Sequence, residues 1–104
     1  MTPRVAGIDC GTNSIRLLIA DADAGGELVD RVRRMEVVRL GQGIDRTGVI
    51  APDAMERTLA MTREYAALCR EHGVAAVRFV ATSASRDARN AGEFVAGVRA
   101  AFGG

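Results

Sequence analysis

A long amphipathic segment lies between two short apolar runs, and this order constrains the fold more than any other feature. The segment predicts a helix from about Pro52 to His72, with Pro at the first helical position and Gly73 as the C-terminal stop. Its apolar face consists of Met55, Leu59, Thr62, Ala66 and Cys69. The apolar run at residues 5–9 predicts a buried strand, and the run at residues 75–81 predicts a further strand. A strand, a crossover helix and a second strand imply a mixed sheet with helices on its faces.

Two further strands are predicted between the first strand and the helix. Residues 15–21 form an apolar segment, a Gly-rich turn follows, and residues 27–39 alternate in part between apolar and polar. The spacing is typical of an antiparallel meander of three strands, the third longer and bent. Residues 40–50 contain glycines and no helical period, so they predict a loop.

The C-terminal part predicts one short helix and one amphipathic helix. The short helix begins at Thr82 and Ser83, directly after the last strand. Asn90 is expected to cap the second helix, with Glu93 as its capping-box partner. The apolar residues of this helix are Phe94, Val95, Val98, Ala101 and Phe102. The predicted order is therefore β-β-β-α-β-α-α, in one α/β domain over residues 1–104.

The composition is that of one small soluble domain. The chain has 104 residues, of which 48% are hydrophobic and 26% charged, so it can bury a core. A net charge of +1 and 4% aromatic residues argue against a nucleic-acid polymer as partner. Two cysteines, no signal-peptide core and no apolar run of membrane-spanning length predict a reduced, cytoplasmic protein without a membrane partner.

The turn after the first strand is the sharpest local feature. Asp9 ends the strand, and Gly11, Thr12, Asn13 and Ser14 follow Cys10. Backbone N–H groups in such a turn can converge on an anion, and the Asp9 carboxylate could hold Mg²⁺ through water. An ordinary hairpin turn, with Asn and Gly selected for their backbone conformation, is the alternative.

A second group of polar residues follows the fourth strand. Thr82 and Ser83 lie where this strand ends and a helix starts, which is where anions bind in α/β folds. Arg86 is three residues past Ser83 and can lie on the same side as the helix start. A helix N-cap followed by a solvated arginine is the alternative. Because the first and fourth strands are expected to be neighbours, both turns should face one cleft.

These features resemble the N-terminal part of the exopolyphosphatase / guanosine pentaphosphate phosphohydrolase (Ppx/GppA) family. The similarity is carried by the run from Gly7 to Ile19, the segment Arg39–Asp45, and the pattern Thr82-x-x-x-Arg86-x-Ala88-x-Asn90 with Phe94 after it. The Asp-x-Gly-Thr-Asn-Ser part alone is shared with many actin-like phosphotransferases. Its combination with the second pattern at this distance is more specific.

The resemblance implies an actin-like, ribonuclease-H-like half-domain, truncated before its last strand. It also implies Mg²⁺-dependent hydrolysis of a terminal phosphoanhydride bond in inorganic polyphosphate or guanosine pentaphosphate, by an enzyme that is a homodimer when complete. By the family pattern, Asp9 would organise the metal, and Gly11–Ser14 would form the first phosphate loop. Arg16 and Arg86 would contact phosphate oxygens, and Thr82 and Ser83 would belong to the second phosphate-binding turn.

The catalytic residue of the family is expected outside these 104 residues. The resemblance places a water-activating Glu in a Ser-Gly-x-Glu-Glu-Ala stretch on the strand after Phe102. Glu93 is not a substitute, because its spacing is that of a capping residue. We therefore expect a fragment with negligible activity alone, no general base of its own, and an exposed sheet edge with an apolar patch.

Two other functions stay open at this point. An actin-fold ATP-dependent sugar kinase begins with a similar Asp-x-Gly-Thr-x-Ser-x-Arg stretch, although the Thr82–Asn90 segment is not expected in such a kinase. A non-catalytic module would use the two turns to bind a phosphate ligand, or the open edge to dimerise. Cys10 is predicted to be a small buried hydrophobe, Cys69 a core residue, and His72 a helix C-terminal residue.

Overall fold

A computed structural model of the chain describes residues 3–103, apart from the side chains of residues 45, 83 and 84. Within that range the elements follow the predicted order with one addition, the short helix α1. They are β1 (Arg4–Cys10), β2 (Ser14–Ala22), β3 (Leu28–Val37), α1 (Ile44–Thr47), α2 (Pro52–Glu71), β4 (Ala76–Ala81), α3 (Ser83–Asp87) and α4 (Ala91–Ala101). None of the described helices is both long enough and apolar enough to cross a membrane.

The described strands form one mixed sheet in the order β3-β2-β1-β4. The β1–β2 and β2–β3 pairs are antiparallel, which confirms the predicted meander. A register shift between Ile19 and Ala20 interrupts the β2–β3 ladder, and such irregularities bend strands. β4 returns parallel to β1 after the crossover through α2, so the predicted mixed sheet is confirmed.

One face of the sheet, called here the covered face, packs against α2. Strand side chains alternate between the two faces, and the buried ones on β1 and β2 are Ala6, Ile8, Cys10, Ile15, Leu17 and Ile19. Tyr65 of α2 is fully buried and its hydroxyl donates a hydrogen bond of 3.2 Å to the carbonyl of Ile15. This pairing holds the middle of the helix against β2.

The opposite face, called here the open face, has no covering layer among the described residues. A shallow concavity there is lined by Gly7, Asp9, Arg16, Leu18, Arg33, Met35, Arg78 and Val80, with backbone between them. Met35 is 53% exposed and Val80 is 47% exposed. Val80 and exposed Val95 of α4 line a second concavity at β4 and form the apolar patch expected at this edge.

One local prediction is wrong, and a second element, the confirmed amphipathic helix α4, is only partly buried. The 40–50 loop contains α1, a single turn flanked by Gly43 and Gly48 with φ angles of 79° and 74°; one turn is too short to show a helical period. On the apolar face of α4, Phe94 is buried, Val98 and Phe102 are half-buried against the core, and Val95 is 44% exposed.

Candidate functional site

The carboxyl ends of β1 and β4 lie side by side. Cys10 is the register partner of Ala81, and the Thr82 N–H donates a hydrogen bond of 3.2 Å to the carbonyl of Cys10. The two polar turns therefore leave the sheet from adjacent strands in the same direction. The prediction that the first and fourth strands are neighbours is confirmed, and a cleft shared by the two turns stays a prediction.

Residues 11–14 are called here the phosphate loop, after the role that the family resemblance implies for them. They form a tight hairpin turn between β1 and β2. The Gly11 N–H donates a hydrogen bond of 2.9 Å to the carbonyl of Ser14. Thr12 and Asn13 are exposed at its tip. The alternative interpretation of this segment as a hairpin turn is thus structurally correct, and it leaves the polar side chains at the surface.

The carbonyls of the phosphate loop are engaged by a second segment, residues 38–50. The N–H groups of Val38 and Arg39 each donate a hydrogen bond of 2.9 Å to the Asn13 carbonyl, and the Gly41 N–H donates one of 2.9 Å to the Thr12 carbonyl. Arg39 has a left-handed φ of 53°. A Cβ at position 41 would lie 3.0 Å from the Thr12 Cβ, so this close approach favours glycine.

The N–H groups at the tip of the same loop, unlike its carbonyls, are unpaired in the described part of the chain. Within the described part of the chain, the N–H groups of Thr12 and Asn13 have no hydrogen-bond acceptor, and neither do their side chains. A turn whose carbonyls are occupied and whose N–H groups are unpaired offers only donors from its backbone. This is the arrangement that binds anions.

The second turn is organised as a helix cap. The Thr82 hydroxyl accepts a hydrogen bond of 3.4 Å from the Ser85 N–H at the start of α3, and it lies 3.1 Å from the Ser85 hydroxyl. The N-cap interpretation is therefore correct, and a phosphate contact by Thr82 stays a prediction. The Ser83 side chain lies outside the described residues. Arg86 is exposed in the last turn of α3.

Asp9 and Arg16 lie on the open face as directly opposed partners across the β1–β2 ladder. Both side chains are exposed. In the described part of the chain, neither takes part in an ion pair, and neither does Arg86. These two arginines therefore carry charge that a ligand can use.

The donor set around Asp9 fits a weakly held Mg²⁺ ion. Among the described residues there is no cluster of three or more His, Cys, Asp or Glu side chains that could hold a metal. Mg²⁺ is commonly bound through one or two carboxylates, with water and substrate phosphates completing its shell. The single carboxylate of Asp9 is compatible with that chemistry only when a phosphate ligand shares the ion.

Cys10 is buried in the core on the covered face and does not belong to the site. Its side chain is fully buried, and burial, with a smaller contribution from the Asp9 charge, raises the pKa of the thiol to about 12. The prediction that Cys10 is buried is confirmed, and its chemical inertness stays a prediction. Cys69 is buried in the core and His72 is the C-cap of α2, as the sequence predicts.

Asn90 does not form the predicted capping box. It occupies the N-cap position of α4, but its side chain makes no cap hydrogen bond. Instead its Oδ1 accepts from the Ile50 N–H at 2.8 Å, and its Nδ2 donates to the Ile50 carbonyl at 2.9 Å. An amide can serve a donor and an acceptor at once, whereas a cap uses only its oxygen. The predicted structural role of Asn90 is confirmed, with a different partner.

Arg89 is an exposed residue that adds to the same contact. Its backbone N–H donates a hydrogen bond of 2.9 Å to the Gly48 carbonyl, and its guanidinium donates to the Thr47 carbonyl. Sequence reasoning missed both contacts because the partners are far apart along the chain. The only sequence signal was the occurrence of Asn90 in the pattern that carries the family resemblance.

The fold and the site first define a class: an actin-like α/β fold in which two polar turns meet at the ends of parallel strands. Comparison with known proteins then gives the family. A model described as "Ppx/GppA phosphatase family" matches residues 18–104. The chain belongs to the Ppx/GppA phosphatase family.

Relatives of known name agree with this membership. Exopolyphosphatase 2 of Mycobacterium tuberculosis is 56% identical over 96 residues, which are 89% of this chain and 30% of that protein. A bifunctional 3-dehydroquinate synthase/phosphatase of Fusobacterium nucleatum is 32% identical over 96 residues, which are 86% of this chain and 14% of that protein. The chain thus spans less than a third of the length of these relatives.

Solved structures confirm the fold. The Ppx/GppA family member of Aquifex aeolicus superposes with a TM-score of 0.90 at 38% identity, covering 96% of this chain and 32% of that one. An exopolyphosphatase-like protein superposes with a TM-score of 0.90 at 48% identity, covering 98% of this chain and 31% of that one. Both comparisons extend over the strands that position the site.

Proposed function

We propose that this chain supplies the phosphate-binding part of an enzyme that hydrolyses terminal phosphoanhydride bonds of inorganic polyphosphate. The observation that carries the proposal is the phosphate loop, in which the carbonyls of Thr12 and Asn13 are occupied while their N–H groups are unpaired in the described structure. Family membership supports phosphoryl chemistry, and the 56% identical relative is named an exopolyphosphatase.

In this proposal the ligand is held by donors from several elements. The phosphate loop gives N–H groups, with the hydroxyls of Thr12 and Ser14 as further donors. Arg16 and Arg86 bind outer phosphate oxygens, and charge-assisted hydrogen bonds of this kind offset the negative charge that must gather at the scissile bond. Thr82 and Ser83 contribute from the second turn.

Asp9 is proposed to hold Mg²⁺ together with the substrate. When bound, the ion supplies charge neutralisation on the phosphate oxygens. No catalytic base is assigned to residues 1–104: Asp9 is used for the metal, and Glu93 lies in the first turn of α4. We expect these residues alone to bind substrate without turnover, with the base supplied elsewhere, as the family resemblance implies.

Guanosine pentaphosphate is the other substrate that the resemblance implies, and it enters the test as a competing ligand. Family membership favours a phosphatase over an actin-fold sugar kinase. The cytoplasmic location and the homodimer of the complete enzyme stay predictions. A module that binds phosphate without catalysis is the remaining alternative, and the experiments below separate it from an enzyme.

The binding test is a titration of the chain with inorganic tripolyphosphate, with and without Mg²⁺. Backbone amide chemical shifts in NMR spectra monitor the titration. We expect saturable shifts at Gly11–Ser14 that are stronger with Mg²⁺. Arg86→Ala should weaken binding at least about tenfold, because a charge-assisted hydrogen bond is lost. Arg63→Ala removes the same charge from the exposed side of α2 and should have no effect. Binding that ignores Arg86 and disappears at moderate salt would indicate nonspecific attraction.

The turnover test measures phosphate release from polyphosphate and from guanosine pentaphosphate. A full-length protein containing this chain should release phosphate in a Mg²⁺-dependent reaction, and Asp9→Asn should reduce the rate at least about a hundredfold. Residues 1–104 alone should release none. A full-length protein that binds polyphosphate but never cleaves it would support the non-catalytic module instead.

A further inference from the structure

We infer that Asn90 is a positioning residue for the phosphate loop, acting through the 38–50 segment. The inference rests on the proposed function, because it assigns a role toward the same ligand. Asn90 itself lies at the start of α4 and makes its side-chain contacts with Ile50, not with the phosphate loop. Its influence therefore depends on how the 38–50 segment transmits position.

The 38–50 segment is held together by local hydrogen bonds, each between residues three or four positions apart. They join Gln42 to Arg39, Ile44 to Gly41, Arg46 and Thr47 to Gly43, and Gly48 to Ile44, with donor–acceptor distances of 2.7 to 3.2 Å. The Thr47 hydroxyl adds contacts to the carbonyls of Gly43 and Val49. A segment with this many internal bonds moves as one body rather than as a free loop.

One end of this segment is anchored to the phosphate loop, and the other end is anchored to residues 89–90, which follow α3. At one end Val38, Arg39 and Gly41 donate to the carbonyls of the phosphate loop. At the other end Ile50 is held by the Asn90 side chain, and Gly48 accepts from the Arg89 N–H.

The ring closes through the base of the two turns, because the Thr82 N–H donates to the carbonyl of Cys10, directly before the phosphate loop. The phosphate loop, the 38–50 segment and the 82–90 segment therefore form a closed ring of hydrogen-bonded contacts. A change at one joint of such a ring is transmitted to the others.

Asn90 is the joint at which one side chain binds both backbone polar groups of a single residue, Ile50. Ile50 is buried, and both of its backbone polar groups find their partner on the Asn90 amide. Removing the amide leaves a buried N–H and a buried C=O without partners, which the structure relieves by moving the segment. Arg89 is exposed: its contact to Gly48 uses backbone atoms that a substitution retains, and its guanidinium adds one contact to the segment, at the Thr47 carbonyl.

The test compares Asn90→Ala with wild type and with Asp21→Asn. Asp21 is bound by Arg4 and Arg31 at the opposite end of β1 and β2, so its substitution lowers stability without touching the ring. In Asn90→Ala, native-state amide exchange at Arg39 and Gly41 should accelerate at least about fivefold, while exchange in the centre of β1 changes only with global stability. Under conditions where all variants are folded, the affinity of Asn90→Ala for inorganic tripolyphosphate with Mg²⁺ should fall at least about fivefold.

A conservative variant sharpens the readout. Asn90→Asp retains an acceptor for the Ile50 N–H but loses the donor to the Ile50 carbonyl, so it should not restore the affinity. Asp21→Asn should bind like wild type. Asp21→Asn should thus lose stability and keep its affinity, whereas Asn90→Ala should lose affinity while it is still folded. A purely structural role of Asn90 would not produce this difference.

Three results overturn the inference. Unchanged exchange at Arg39 and Gly41 in Asn90→Ala means that the ring does not transmit the contact. Accelerated exchange with wild-type affinity means that Asn90 only stabilises the segment. Failure of the wild-type chain to bind tripolyphosphate removes the proposed function and the positioning role together, and it is told apart from the first two results because Asn90 variants are not needed to observe it.

Discussion

The two faces of the sheet carry different tasks, although consecutive residues of the same strands form them. On the covered face Leu17 is 1% exposed and packs into the core, while its neighbour Leu18 lies on the open face and is only half-buried. Asp9 and Arg16 also point to the open face, where they are exposed. Folding depends on one face, and two of the charged residues proposed for the ligand, Asp9 and Arg16, are on the other.

Because of this separation, we expect that the exposed residues Asp9 and Arg16 can be substituted without loss of the fold. Because the side-chain period of a strand is two, a register slip of one residue would bury Asp9 and Arg16 and expose Leu17. The buried row on β1 and β2 therefore fixes the register, and the register in turn fixes which charges reach the open face. The predictions below test this difference between the covered face and the open face.

The largest effect is expected from a pair of neighbouring substitutions on β2. Leu17→Ala should lower the free energy of unfolding by about 2–5 kcal/mol, because it leaves a cavity in a filled core. Leu18→Ala should cost less than about 1.5 kcal/mol, since its side chain is only half-buried. Denaturant titration of both variants measures the two values. Equal losses would show that the open face is covered in solution.

The next effect concerns Cys10, which belongs to the covered face despite its position beside Asp9. In a Cys69→Ala background, native Cys10 should react with iodoacetamide at pH 8 about a thousandfold more slowly than the unfolded chain, because burial raises its pKa to about 12 from the usual 9.0. Mass spectrometry of samples quenched over time gives the rates. Reaction at the unfolded rate would place the thiol at the surface.

A smaller, pH-dependent effect is expected at the rim of the covered face. Hydrogen bonds from Arg4 and Arg31 hold the pKa of Asp21 well below its usual 3.8. The stabilisation is therefore fully present above about pH 4 and is lost as the pH falls further, toward the lowered pKa of the folded state. Asp21→Asn should be less stable than wild type at pH 7, and the difference should shrink as the pH falls from 4 to 2. A difference independent of pH would contradict the ion-pair explanation.

The smallest effect is expected at Gly7, in the middle of the open face. No atom lies within 4 Å of a Cβ built at this position. Gly7→Ala should therefore raise the free energy of unfolding by about 0.4–1 kcal/mol, mainly by restricting the unfolded chain. Gly41→Ala is the matched contrast, because its Cβ would contact Thr12 at 3.0 Å, and it should destabilise. A destabilising Gly7→Ala would indicate that the open face is occupied.

The elements that the sequence predicted are those with a local pattern. The α2 stripe, the short apolar strands and the polar turns after β1 and β4 are each readable within a few residues. The Asn90–Ile50 contact was not predictable, because its two halves are joined only by the tertiary fold. The hydrogen bonds that occupy the carbonyls of Thr12 and Asn13 were missed for the same reason, since their donors lie beyond β3.

The parallel pairing of β1 with β4 has a consequence for how the site comes into existence during folding. All of β2, β3 and α2 lie between the two strands in the sequence, so their contact closes a long loop, and closing it is entropically costly. The meander can form early from neighbouring strands, whereas the two turns meet only when β4 docks. Under the proposed function, a partly folded chain would therefore have only one of the two turns in place. Phosphate binding would thus report the completion of folding, and a bound ligand would selectively stabilise the docked form of β4.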